Sequence, residues 1–173
     1  MNKITTDKAR EIIAELEVDD SVRQHCEGVA HRVETICGIL KGAKHKINVE
    51  QAVAAALLHD IGRTRSHGLD HAKVGAEIIK EKGYNDLAEI VEAHALPQTA
   101  ELPLETRILI YADTTTGPDG EVIDPMKKLE FLRRLSQEWK NEDERLLAKE
   151  AYEVKRRIVS EIDTLIKQAM SQT

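Results

Sequence analysis

The chain has 173 residues, 41% of them hydrophobic and 32% charged, a balance that suits one globular domain able to bury a core without disulfides. Its net charge of −6 excludes broad electrostatic binding to nucleic acid, though not a local basic pocket for one phosphate ester. Aromatic residues at 3% leave few stacking platforms for single strands, and no apolar run is long enough to span a bilayer.

Nearly every segment reads as helix. Thr5-Thr6-Asp7 caps a first helix that runs to about Glu17. Asp19-Asp20-Ser21 starts a second, whose apolar stripe is Val22, Cys26, Val29, Val33, Ile36, Cys37 and Leu40, and Gly42 stops it. Cys26 and Cys37 lie about 16 Å apart along that helix, too far to bridge, and are expected as reduced core residues of a cytoplasmic protein. Asn48 caps a third helix, apolar on every side from Ala52 to Leu58, that is expected to end at Gly62. A basic, polar loop follows over 63–69.

The fourth helix spans about Leu69 to Lys82 and stops at Gly83. The fifth spans about Asn85 to Ala95, closed by Pro97, and the sixth about Leu104 to Thr114. Gly117-Pro118-Asp119-Gly120 is a turn signal. Two more helices cover about 125–139 and 142–170. The last carries a stripe of Leu147, Ala151, Val154, Ile158, Ile162, Leu165 and Ala169, read first as core and second as a homodimer surface. With no strand signal, the fold class is all-α: one domain over 1–173, with a metal-binding core at about 20–115 and a C-terminal helical extension at about 120–170.

The third helix ends in His59-Asp60-Ile61-Gly62. Two ligand-type side chains at the mouth of a buried helix are costly unless something pairs with them, and a divalent cation is the obvious partner. Further inward candidates are His25 before Val29, His71 before Val74 and Ile78, His94 after Leu87 and Val91, and Asp113 after Leu109. His45 is expected to be solvated, and His31 is a weaker candidate. Each inward residue alone reads as a hydrogen-bonded core polar; together they read as an oxygen and nitrogen ligand set suited to Mn, Fe, Co, Zn or Mg.

These residues resemble the HD-domain superfamily of α-helical metal-dependent phosphohydrolases, whose pattern is a first His, a His-Asp pair and a later Asp. Here the matching positions are His25, His59-Asp60 and Asp113, and Ile61-Gly62 places the chain in the HDIG subgroup. The stretch from His71 to Ile79 and Ile90-Val91-Glu92-Ala93-His94 are similar to ribonuclease Y-type HDIG domains. Many HDIG proteins have two adjacent histidines where this chain has His94-Ala95, so a second metal site would lack one ligand.

The resemblance implies one metal held by His25, His59, Asp60 and Asp113, with Asp60 as bridge to a second on His71 and His94. It implies catalysis by a metal-activated water, with Asp60 and Arg63 as catalytic residues; His67, in the loop after the motif, is read beside them as a third. Arg63, Arg65 and Lys73 would bind the substrate phosphate, and His67 would donate a proton to the leaving group. The expected substrate is a phosphate ester or anhydride of a nucleotide-like small molecule, with no membrane and no nucleic-acid partner. The alternative is an RNA or cyclic-nucleotide phosphodiesterase. A mixed-valent di-iron oxygenase ranks lower, because Ala95-Leu96-Pro97-Gln98-Thr99-Ala100 lacks the basic element those proteins carry after the last histidine. A non-catalytic nucleotide-binding protein ranks lower too, since every ligand position is intact.

Overall fold

The computed structural model describes residues 3–172. They form helices α1 (Thr6–Glu15), α2 (Asp20–Gly42), α3 (Val49–Leu58), α4 (His71–Glu81), α5 (Asn85–Ala95), α6 (Leu104–Thr114), α7 (Pro125–Glu138) and α8 (Glu142–Ser171), with a 3-10 turn over Ile61–Thr64. The described residues contain no strand, only an isolated bridge between Thr116 and Val122, so the all-α expectation holds. No helix among them is long and apolar enough to cross a membrane.

The apolar pattern of α3 explains the architecture. Every residue from Ala52 to Leu58 is buried, so the helix needs neighbours on all sides. It has them in α1, α2, α5 and α6. The α2 stripe from Cys26 to Leu40 is buried as expected, both cysteines are free, and burial pushes their thiols up, Cys37 to about 12. Thr5 caps α1 through the Lys8 amide, and Asn48 caps α3 through the Gln51 amide. Helix α8 lies against α2 and α6. Helix α7 packs chiefly on α8, around a small separate cluster of Leu132, Ala148 and Ala151.

Four expectations change. Helix α3 ends at Leu58 rather than Gly62, and the supposed loop begins as the 3-10 turn. Helix α4 starts at His71 rather than Leu69. Leu147 is 39% exposed, and Ala148 takes its place on the buried face of α8. His45 is half-buried rather than fully solvated. Gly62 is therefore not a helix stop, and its φ is not in the left-handed region. Instead it is buried where α4 crosses: a Cβ there would collide with the His71 carbonyl and come within 2.6 Å of the Gly75 nitrogen.

Gly62→Ala is therefore expected to destabilise by about 1–3 kcal/mol through backbone overlap. Gly38→Ala, in the interior of α2 with open space around it, should instead stabilise by up to about 1 kcal/mol. Thermal and urea denaturation of the two variants check both signs.

Candidate metal centre

Four histidines from four parts of the chain meet at the end of α3. His25 comes from α2, His59 from the residue closing α3, His71 from the first turn of α4 and His94 from the last turn of α5. Their rings run as a chain of edge contacts, with centroids 5.3 Å apart for His25–His59, 4.9 Å for His59–His94 and 5.3 Å for His71–His94.

Each ring is oriented in the same way. His59 Nδ1 donates to the Ala56 carbonyl at 2.7 Å, His71 Nδ1 to Gly68 at 2.8 Å, and His94 Nδ1 to Val91 at 2.6 Å. His25 Nδ1 donates to the Gly117 carbonyl at 2.8 Å. A carbonyl only accepts, so the proton of every neutral ring sits on Nδ1 and the Nε2 lone pair is free. Backbone carbonyls that hold a ring by its Nδ1–H in this way are what orient metal-binding imidazoles.

The lone pairs converge on two carboxylates. Asp60 Oδ2 lies 3.7 Å from His59 Nε2, while Oδ1 lies 3.2 Å from His71 Nε2 and 3.7 Å from His94 Nε2. Asp113 Oδ1 lies 3.2 Å from His25 Nε2 and 3.9 Å from His59 Nε2. Two groups, His25–His59–Asp60 and Asp60–His71–His94, have all their ligand atoms within 4.8 Å of one another. Asp60 belongs to both.

Buried polar atoms test whether a cation fits. His59 Nε2 and Asp60 Oδ1 are two of the three buried side-chain atoms with no hydrogen-bond partner among the described residues, despite the short approach of His71. Each such orphan costs about 1–3 kcal/mol. Burial drives His59 down to about 3 and lowers His94, so both rings are neutral lone-pair donors. Burial alone would raise the carboxyls. The polar groups around them, Lys128 and Lys155 beside Asp113 among them, outweigh it and hold both well below the usual range. Ionised carboxylates with neutral imidazoles are the donor set of a divalent metal. Cys26 Sγ is 3.7 Å from His59 Nδ1, but its thiol stays protonated and adds no thiolate.

Arg63 Nε donates to Asp60 Oδ2 at 2.7 Å, and Arg63 and His67 both line the adjoining cavity of about 660 Å³. Arg65 and Lys73 are exposed and do not line it. Arg65 leaves the 3-10 turn toward solvent. Lys73 lies two residues past His71, about 200° around the helix, and so faces away. Two residues the sequence reading missed stand in the site. Lys128 Nζ donates to both the carbonyl and Oδ1 of Asp113 at 2.7 Å, and the half-buried Lys155 has its Nζ 3.7 Å from Oδ2. Their signal was a lysine on an apolar stripe: Lys155 falls four residues after Ala151 and three before Ile158, and Lys128 four before Leu132.

The HD domain family matches residues 22–117, which contain the whole histidine and aspartate set. The chain belongs to the HD-domain family. Members are generally metal-dependent hydrolases that bind divalent metals. An uncharacterized protein of Methanocaldococcus jannaschii is 34% identical over 142 residues, covering 72% of this chain and 83% of that protein. A ribonuclease Y of Lawsonia intracellularis is 30% identical over 74% of this chain, and a tRNA (cytidine(56)-2'-O)-methyltransferase of Thermoplasma volcanium is 36% identical over 49%. This HD-domain chain spans only 26% and 31% of those two proteins. No solved structure matches it significantly.

Calorimetric titration with Mn²⁺ tests the shared carboxylate. Asp60→Ala is expected to weaken all binding by more than about 100-fold, beyond the loss typical of outer-shell changes. His94→Ala should weaken only ions held by the second group. Full Mn²⁺ affinity in Asp60→Ala would exclude the arrangement.

Proposed function

We propose that this HD-domain chain is a metal-dependent phosphohydrolase acting on a phosphate ester or anhydride of a small, nucleotide-like molecule. The observation that carries the reading is the pair of ligand groups facing a cavity that cations also line. His25, His59, Asp60 and Asp113 would hold one ion, and His71 and His94 with Asp60 a second. A bound divalent ion supplies hydroxide from water at neutral pH and charge for the phosphoryl oxygens. The oxygen and nitrogen ligands suit Mn, Fe, Co, Zn or Mg.

The chain's own residues supply the rest. Arg63 is anchored through Nε on Asp60 Oδ2, which leaves its two terminal nitrogens to face phosphate oxygens as a fork. His67 lines the cavity from the loop after the 3-10 turn with an exposed ring, and serves here as proton donor to the leaving oxygen. The cavity volume of about 660 Å³ is that of a small-molecule site.

A second reading, hydrolysis of an RNA or cyclic-nucleotide phosphodiester, is favoured by the relatives named ribonuclease Y. It uses the same centre, and it must accommodate a net charge of −6 and few aromatic residues.

A screen of nucleotides, cyclic nucleotides and short RNA with Mn²⁺, Co²⁺ or Mg²⁺ separates these. Turnover of monoesters or anhydrides is expected, with Asp60→Ala lowering kcat/KM at least about 1000-fold and Arg63→Ala about 10–100-fold. Full activity in Asp60→Ala would make the mechanism wrong. Iron with a mixed-valent spectrum and no hydrolysis would point to oxygenase chemistry.

A further inference from the structure

Asp113 is held by more positive charge than it needs. Lys128 places two of its three N–H donors on this one residue, and its third has no acceptor among the described residues. Lys155, with 11% of its side chain exposed, sits on the other oxygen. With Arg63 on Asp60, three cations face two carboxylates, and all three line the same cavity. The three cations exceed the two carboxylates by one positive charge, which favours an anion in the cavity.

The same face of α7 continues in a different chemistry. Lys128 is followed at helical spacing by Leu132, Leu135 and Trp139, all lining the cavity. They extend about 16 Å from the lysine at 1.5 Å per residue. Leu132 packs in the separate α7–α8 cluster, against which Leu96 and Trp139 lie half-buried. The cavity therefore has a cationic end at the metal ligands and an apolar end with one flat indole.

We propose that α7 and α8 form the recognition half of the site: Lys128, backed by Lys155, binds a terminal phosphate, and Leu132, Leu135 and Trp139 receive an apolar, ring-bearing body. The substrate class is thus a small phosphate monoester with a ring opposite the phosphate. This rests on the phosphohydrolase reading, which it narrows. Lys128 acts as a substrate-binding residue and Lys155 as a positioning residue.

The test uses two non-hydrolysable probes, benzylphosphonate and ethylphosphonate, titrated calorimetrically into Mn²⁺-loaded full chain. Benzylphosphonate is expected to bind about tenfold or more tightly, from burial of the ring. The double variant Leu135→Ala, Trp139→Ala should bring the two probes within about threefold. Lys128→Met should weaken both by about tenfold with manganese content unchanged, and Lys128→Arg should recover most of that loss. Equal wild-type affinities, or an undiminished ring preference in the double variant, would overturn the apolar subsite. Unchanged phosphonate affinity in Lys128→Met, or loss of manganese from it, would overturn the phosphate role. Hydrolysis of benzyl phosphate against ethyl phosphate keeps the two readings apart. The binding pattern without turnover sinks the hydrolase reading alone, and turnover without ring preference sinks this proposal alone.

Discussion

The site depends on four hydrogen bonds that aim imidazoles by their backs. An imidazole on a flexible side chain loses entropy when fixed, and here each ring is fixed by an Nδ1–H bond to a main-chain carbonyl. The Ala56 carbonyl lies in the last turn of α3, where helix geometry leaves the final C=O groups without amide partners. His59 thus satisfies the end of its own helix, and His94 bonds back to Val91 in the same way, each presenting Nε2 to Asp60. This ties ligand placement to helix termination, and it explains why the centre lies at helix ends rather than midway along them.

Two close backbone approaches bring the remaining ligands within reach. Gly62 allows the first turn of α4 to lie directly on the 3-10 turn, which delivers His71 to Asp60 Oδ1 at 3.2 Å. On the other side, the turn after α6 presses on α2. A Cβ on Gly28 would come within 2.7 Å of the Gly120 carbonyl oxygen, and Gly120 adopts φ +76°, which favours glycine. Gln24 also donates to the Asp119 carbonyl at 3.2 Å. The turn is thereby clamped where Gly117 can orient His25. Gly117-Pro118-Asp119-Gly120, read from sequence as chain reversal, also serves as the backing for a ligand.

What could be read in advance follows from the range of each signal. His25, His71, His94 and Asp113 each sit three or four residues from apolar neighbours on the same helix, so periodicity alone aimed them inward. The all-α architecture was legible for the same reason. The reason for Gly62 was not, because it lies in α4, which folds back onto it. Arg65 and Lys73 lie near the motif in sequence, but Arg65 leaves the 3-10 turn toward solvent and the helical phase of α4 turns Lys73 outward. Lys128 and Lys155 break apolar stripes far from the motif. Nothing local distinguishes such a lysine from a stem covering apolar surface until Asp113 is seen beneath it.

The charge balance gives the centre its chemical direction. Asp60 and Asp113 contribute two negative charges, and Arg63, Lys128 and Lys155 answer them with cations. Because both carboxyls are held well below their ordinary range, their contribution to stability is complete above about pH 4 and is lost only as the pH falls through the lower folded-state values. Above about pH 4 the carboxylates therefore remain available as ligands. A divalent ion entering this set adds positive charge where the carboxylates are already matched by cations. The loaded site is then relieved by an anion within the same cavity rather than by further protein carboxylates. On the proposed reading a phosphate group would meet that need, and a bound metal would raise the site's affinity for it.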